Sequence, residues 1–430
     1  RIKNKQDIRK TAEIIRILPK NKYQNYVYGR AFKSNGKWYI ENANKGMQRP
    51  ILVDIADCKN LEDGALIKAE FVKTSDKYLK KAKLTNIIGH VTNPQSILNM
   101  TIDEFNLVEI FPNEVLESSL IPKPILHSER EDLTKLNLIT IDGGDAKDFD
   151  DAVFAEPTQD GGWRLVIAIA DVSHYVCEDS VIDVEAKKRG NTVYLPGRVL
   201  PMLPENLSHD LCSLKPNQER ACLAVEIYLD AAGNKTKHRF IRGIMKSIGR
   251  LTYDNVQSVY EGIFDERQLS LPNGTLHHLF AVYKCRKEIS RKRGTLELLL
   301  SERSIKFSNE MFPIDIEIRQ QKPANELIEE FMVLANICAA ETLEEKQKTC
   351  VYRVHEPPSP AKLAELVSFA DEMDIKLPDS IYFTPQQFNL LLKKWEENHP
   401  NNDLLQNAIL RCQSRANYSS ENIGHYGLGL

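Results

Sequence analysis

Residues 138–153 read Leu-Ile-Thr-Ile-Asp-Gly-Gly-Asp-Ala-Lys-Asp-Phe-Asp-Asp-Ala-Val, with five aspartates in the ten positions 142–151. The apolar run 138–141 ends in a Gly-Gly break, which predicts a strand leading into a tight turn. Side chains alternate faces along an extended segment, so Asp148 and Asp150 point one way and Asp151 the other, while Asp142 closes the strand before the turn. Carboxylates crowded this closely repel one another unless a cation lies among them, and hard oxygen donors suit magnesium or manganese. A helix–loop–helix calcium site fails on spacing. No register starting at Asp142, Asp145 or Asp148 puts acids at the first, third and fifth positions with glycine at the sixth. The plainer alternative is an Asp-rich surface turn, since Asp favours turns through local hydrogen bonds. This many acids between two apolar strands favours the metal reading.

The 430 residues are 42% hydrophobic and 27% charged, enough for two or three domains with a large core. No run of 18 apolar residues occurs, so no membrane-spanning helix and no membrane partner is expected. The eight cysteines are scattered without a CxxC pair, which predicts reduced thiols in a cytoplasmic protein and argues against a zinc site. The first residue is Arg rather than Met, as expected for a piece of a longer protein. The net charge of −3 conceals an asymmetry: residues 1–90 balance at +11 and the remainder at −14. A basic module before an acidic one fits a polyanion-guiding domain joined to a metal-dependent catalytic domain.

Residues 1–16 read as a polar tail or linker. Short strand-like runs follow at 13–18, 26–32, 37–41, 51–55 and 65–72, divided by turn signals such as Ser34-Asn35-Gly36. They predict a small β-barrel of the oligonucleotide-binding (OB) sort over about 17–88. Tyr23, Tyr26, Tyr28, Phe32, Trp38 and Tyr39 are interleaved with lysines and arginines, as in barrels that hold single strands; some of them must equally fill the core. Residues 89–134 read as a proline-punctuated connector with a helical patch at 95–107, and a second domain runs from 135 to 430. In it, residues 163–171 predict a strand buried on both faces. Asp171 and His174 just beyond it could line a site or simply cap and pack. Helices are expected at 180–189, 277–291, 325–346, 359–372, 385–398 and 404–415. Glu329 and Glu330, near the start of the longest, read by default as partners of the helix dipole.

Taken together, the motifs resemble those of the ribonuclease II / ribonuclease R family. Thr140-Ile-Asp-Gly-Gly-Asp-Ala-Lys-Asp-Phe-Asp-Asp-Ala152 is similar to its catalytic signature. Ala168-Ile-Ala-Asp-Val-Ser-His174, Tyr194-Leu-Pro-Gly197, Pro201-Met-Leu-Pro204, Leu211-Cys-Ser-Leu214 and Arg250-Leu-Thr-Tyr253 follow in the family's order. Leu327-Ile-Glu-Glu-Phe-Met332, Tyr352-Arg-Val-His355 and Asn422-Ile-Gly-His-Tyr-Gly-Leu428 continue it, and the connector with Phe111-Pro112 resembles the ribonuclease R branch. The resemblance implies a cold-shock-like OB barrel followed by an α+β catalytic domain of the ribonuclease II type, mixed sheets with packed helices. It also implies a processive, metal-dependent hydrolytic 3′–5′ exoribonuclease that degrades single-stranded RNA to nucleoside 5′-monophosphates in RNA turnover and quality control.

By the same matching, Asp142, Asp148, Asp150 and Asp151 are the metal-binding and catalytic carboxylates, served by two magnesium ions that manganese can replace. Asp150 is the one whose loss abolishes cleavage while RNA still binds. Tyr194 stacks on the terminal nucleotides, Tyr253 orients the last one, and Glu329 lies near the terminal ribose. A monomer with no obligatory protein partner is expected. The family's Ser-Pro-Ile-Arg-Arg-Tyr motif and its flanking RNA-binding barrels lie outside this sequence. The rival readings are a non-catalytic RNA-binding protein and a different metal-dependent phosphoesterase. Retention of four mutually repelling aspartates argues against the first, and the basic, aromatic first module against a small-molecule substrate for the second.

Overall fold

The computed structural model describes residues 25–43, 49–54, 61–72, 74, 80–298, 302–308, 310–373, 375, 377, 382–399 and 402–430. The chain forms two compact units. One is built on the amino-terminal barrel and takes in Asn191–Met202 and Ile305–Ile316; the other holds the rest.

Strands β1 (Tyr26–Ser34), β2 (Lys37–Asn42), β3 (Ile51–Asp54), β4 (Ala65–Val72) and β5 (Lys81–His90) close into a barrel in the order β1-β2-β3-β5-β4. β3 and β5 pair in parallel and the other neighbours antiparallel. Alternate residues such as Val27, Ala31, Ile40, Ile67 and Ala69 fill the interior, as the period of two requires. The predicted turn joins β1 to β2, with Asn35 and Gly36 both at positive φ (48° and 71°), the conformation a two-residue hairpin turn demands. The run 13–18 lies outside the described residues. The fifth strand of the barrel is Lys81–His90, for which the sequence reading gave no separate run and which ends just past the expected barrel–connector boundary at 88/89.

Helix α1 (Pro94–Glu104) is capped by Asn93, whose side chain accepts from the Gln95 N–H at 3.0 Å. It lies so close to β5 that a Cβ at position 89 would stand 2.0 Å from Ser96 Oγ, which is why Gly89 is there. The barrel aromatics divide. Tyr28 is buried with Leu66 and Met100, and Trp38 packs against the barrel core. Phe32 and Tyr39 are cross-strand partners stacked at 5.7 Å and remain partly exposed. Tyr23 lies outside the described residues.

Beyond α2 (Asn113–Ser119), strands β6 (Glu131–Asp132), β7 (Ile139–Asp142), β8 (Asp151–Pro157) and β9 (Trp163–Ala170) enter the main sheet. Then come α3 (Val181–Arg189), capped by Ser180 and ended by Gly190 at φ 78°, and the hairpin β10 (Val193–Leu195) with β11 (Arg198–Leu200). The sheet is completed by β12 (Glu219–Leu229), β13 (Lys235–Lys246) and β14 (Gly249–Thr252), in the order β14-β7-β8-β9-β12-β13-β6. The predicted doubly buried strand is β9, held between β8 and β12, with Leu165, Val166, Ile167 and Ala168 fully buried.

One face of the sheet carries α4 (Tyr253–Tyr260), α5 (Thr275–Arg293) and, past the hairpin β15 (Glu302–Phe307) and β16 (Pro313–Arg319), α6 (Pro323–Glu345). Leu279, Val282, Leu327, Phe331 and Leu334 meet Ile139, Val153, Leu165 and Ile167 there, so one core backs the aspartate-bearing strands. After β17 (Tyr352–Val354), helices α7 (Pro360–Glu372), α8 (Pro385–Asn398) and α9 (Leu404–Cys412) form a separate apolar cluster around Phe388 and Ile409. β18 (Asn417–Ser419) pairs with β17, and the chain returns to His355. Its Nδ1 accepts from the Gly427 N–H at 3.0 Å, and Leu428 O accepts from Arg293 Nε at 2.7 Å. Two motifs distant in sequence are thereby joined. Among the described residues no helix is long and apolar enough to cross a membrane.

Phe331 is fully buried under the sheet. Phe331→Ala is expected to cost about 3–5 kcal/mol of stability, read as a lower urea midpoint; a midpoint unchanged from the wild type would contradict the packing described.

Candidate active site and metal centre

Three consecutive buried residues of β7, Ile139, Thr140 and Ile141, deliver Asp142 to the strand's carboxyl end. β14 runs parallel beside it in the register Thr252↔Asp142, so Tyr253, the next residue and the first of α4, emerges at the same end of the sheet. The segment 143–150 returns the chain to β8, which opens with Asp151. The Asp150 carbonyl accepts from the Ala170 N–H at 2.9 Å, which fixes where the return ends.

That return is held by residues whose role the sequence did not disclose. Arg250 on β14 donates through Nη2 to the carbonyls of Gly144 (2.8 Å) and Ala146 (3.2 Å), and its guanidinium lies 5.0 Å over the Phe149 ring. Ser213 Oγ accepts from the Phe149 N–H and donates to the Lys147 carbonyl, each at 3.0 Å. The Leu214 N–H donates to Phe149 O at 2.8 Å, and Arg220 Nε in turn holds Ser213 O at 2.9 Å. Ser213 and Arg250 both stand in motifs quoted above, but a side chain that grips backbone carbonyls leaves no chemical pattern to read.

The four aspartates act on one another electrostatically. Burial raises the Asp142 carboxyl, and the charges of Asp148 and Asp145 add to this against the Gly143 N–H, 2.6 Å from Asp142 Oδ1, and Arg250. Asp150 keeps solvent contact, yet the surrounding protein withholds enough hydration to raise it, helped by Asp148 and Asp142. Burial pushes Asp151 up to about 7, with Asp142 and Asp150 contributing. Asp151 Oδ2 is buried without a hydrogen-bond partner. A partnerless buried carboxylate oxygen among like charges is what a hard divalent cation satisfies, so the donor set fits magnesium or manganese. Among the described residues no three His, Cys, Asp or Glu side chains stand close enough together to hold an ion as they are.

Tyr253 shares this environment. Burial, then Asp142 and Asp151, push its phenol up to about 12. Glu329 is exposed on α6 and accepts from Gln321 Nε2 at 2.8 Å, while its neighbour Glu330 is buried in an ion pair with Arg286 at 3.0 Å. The amino end of α6 is tied to α4 by a Lys322–Asp254 ion pair and by the Ala324 N–H donating to Gln257 Oε1 at 3.3 Å. Tyr194 sits on the β10–β11 hairpin, 71% exposed, and belongs to the barrel's unit. Asp171 and His174 take structural roles. Asp171 is buried in an ion pair with Arg130 at 2.7 Å and accepts from Ser173 Oγ, and His174 Nε2 lies 3.2 Å from Lys123 O.

A family model described as the RNB domain matches residues 130–430, and one described as a cold shock domain matches 39–112. The chain belongs to the RNB-domain family. It is 33% identical over 428 residues to Ribonuclease R of Vibrio parahaemolyticus, covering 98% of this chain and 51% of that protein. It thus spans about half the length of the curated relatives it matches. Its structure is similar to that of Mycoplasma genitalium RNase R in complex with double-stranded RNA, with a TM-score of 0.83 and 28% identity, over 97% of this chain and 74% of that one. It also matches yeast Ssd1, described as a pseudonuclease, with a TM-score of 0.70 and 16% identity, over 96% and 53% of the two chains; that likeness shows the fold alone.

The raised Asp151 pKa sets a pH signature. Between pH about 4 and about 7 the folded protein keeps a proton that the unfolded chain, with its pKa near 3.8, has released. In EDTA, stability is therefore expected to fall as pH rises through that window and, as far as this group acts, to level off above it. Magnesium should raise the melting temperature more at the alkaline end, where no proton competes, and Asp151→Asn should flatten the EDTA profile. Melting curves unmoved by magnesium and manganese above neutrality would remove the metal centre.

Proposed function

We propose that this chain comprises the catalytic domain and one RNA-guiding barrel of a hydrolytic 3′–5′ exoribonuclease that shortens single-stranded RNA to nucleoside 5′-monophosphates. The observation that carries this reading is the set of four mutually charged aspartates, one with a buried partnerless oxygen, beside a protonated tyrosine. The relatives named Ribonuclease R and the RNase R complex with double-stranded RNA support RNA as the substrate.

A phosphodiester is an anion, and the carboxylates of Asp142, Asp148, Asp150 and Asp151 would repel it. Those four side chains would hold magnesium or manganese, which when bound supplies a nucleophilic water at neutral pH and offsets charge on the phosphate. Asp150, which keeps solvent contact, would accept a proton from water arriving at the site. Tyr253 keeps its proton well above neutrality, so its hydroxyl donates a hydrogen bond to a substrate oxygen and does not add another negative charge. Glu329 offers an exposed carboxylate to a ribose hydroxyl, and such a contact distinguishes RNA from DNA. The exposed Tyr194 ring and the Phe32–Tyr39 pair provide faces for bases of any identity, as a sequence-tolerant nuclease requires. The seven cysteines among the described residues are all free, which supports work in a reducing compartment such as the cytoplasm.

The test uses 5′-labelled single-stranded RNA with this chain in magnesium, in EDTA, and with Asp150→Asn. A descending ladder that requires magnesium and weakens by roughly 100-fold or more in the mutant is the expected outcome. RNA binding without cleavage by both proteins, persisting once the sequence carboxyl-terminal to Leu430 is supplied, would leave an RNA-binding protein and end the nuclease reading.

A further inference from the structure

The segment that presents the aspartates also forms the wall of a separate recess. A cavity of about 480 Å³ is lined by Lys147, Phe149, His209, Lys215, Pro216 and Arg250, together with Ala146 and Gln218. Neither Asp148 nor Asp150 lines it, although both alternate with Lys147 and Phe149 along the same stretch of chain. Four of its side chains are basic or imidazole and none is acidic. One lining lysine, Lys215, is paired with Asp210. That carboxylate accepts from Lys215 at 2.8 Å and from Arg220 at 3.1 Å, and Arg250 also acts on the Asp142 charge, so Lys147 is the lining cation that no carboxylate among the described residues balances. Among the described residues, the Lys147 ammonium and the His209 ring have no ion-pair or hydrogen-bond partner. Arg250 spends only Nη2 on the carbonyls of Gly144 and Ala146, which leaves its other guanidinium donors for a ligand.

We propose that this cavity is a binding site for a phosphomonoester dianion. A doubly charged phosphate needs more than one cation, and a lysine ammonium, a guanidinium fork and an imidazole are complementary donors for its oxygens. The volume suits a small molecule, not a strand. Pro216 and the apolar edge of Phe149 give an attached organic group a surface to rest on. Two sources share the chemistry: inorganic phosphate, and the phosphate of a nucleoside 5′-monophosphate. The second is what the proposed reaction releases, and that identification rests on the proposed function; the site itself does not. Its occupant would touch Arg250, the same side chain that braces the aspartate segment.

The experiment is calorimetric titration of the intact chain in EDTA with inorganic phosphate, with AMP and with adenosine. Without a divalent cation the aspartates repel phosphate, and no cleavage is required, so the result stands whether or not the chain degrades RNA. Saturable one-to-one binding of phosphate or AMP, none of adenosine, and about tenfold weaker binding in Lys147→Glu and in His209→Gln are expected. AMP binding more tightly than phosphate identifies the mononucleotide as the occupant, and equal affinities identify the phosphate group alone. Absence of saturable binding, wild-type affinity in both variants, or tighter binding in Asp150→Asn, which would place the anion among the carboxylates, would each overturn the proposal.

Discussion

Like charges at short range are the constraint on which the rest of this structure depends. Burial raises the affinity of Asp142, Asp150 and Asp151 for protons, and the charges of neighbouring aspartates, Asp148 among them, add to it. A flexible acidic segment would relax by spreading apart. Here Asp142 and Asp151 terminate strands rooted in one apolar core, and the segment between them is pinned at Gly144, Ala146, Lys147 and Phe149 by Arg250 and Ser213. The core, the sheet order and the brace together keep in place an arrangement that electrostatics alone would disperse.

Much of this was legible in the chain because its signals are local. The strand into Gly143-Gly144, the doubly buried strand Trp163–Ala170, the helix from its Ser180 cap to its Gly190 stop and the Asn35-Gly36 hairpin all announce themselves within a few residues. The fifth barrel strand did not. Its pairing with β4 slips register twice, near Leu66/Ile67 and Lys68/Ala69, so the alternation of Ala82 and Leu84 dissolves after Leu84 into exposed and half-buried positions. Asp171 was ambiguous because its decisive partner, Arg130, stands 41 residues away. Spacing alone left Glu329 and Glu330 alike, and only the family resemblance singled out Glu329; in the folded helix it faces solvent while its neighbour meets Arg286 in the interior. The aspartates themselves were plain, because five acids in ten residues need no tertiary context to be noticed.

The match at 16% identity concerns architecture alone. A cold-shock barrel followed by an RNB sheet is a way of holding strands and helices, and it persists where few residues are shared. At one end of that sheet stands a particular set of side chains, with Tyr253 kept neutral by the same burial that raises the carboxylates. One environment therefore suppresses ionisation of the phenol and loads the acids with excess free energy, a division of roles that follows from their opposite starting points on the pH scale.

The parallel pairing of β7 with β14 has a consequence in time. Arg250 and the carbonyl of Gly144 are 106 residues apart, so the brace is a contact of high sequence separation. Such contacts are slow to form, because a long loop must be closed before anything is gained from closing it. As the chain leaves the ribosome, the acidic segment is made first and must wait for more than a hundred further residues before its scaffold exists. Until then the aspartates are ordinary hydrated carboxylates, and the site acquires its unusual charge state only once that brace has closed.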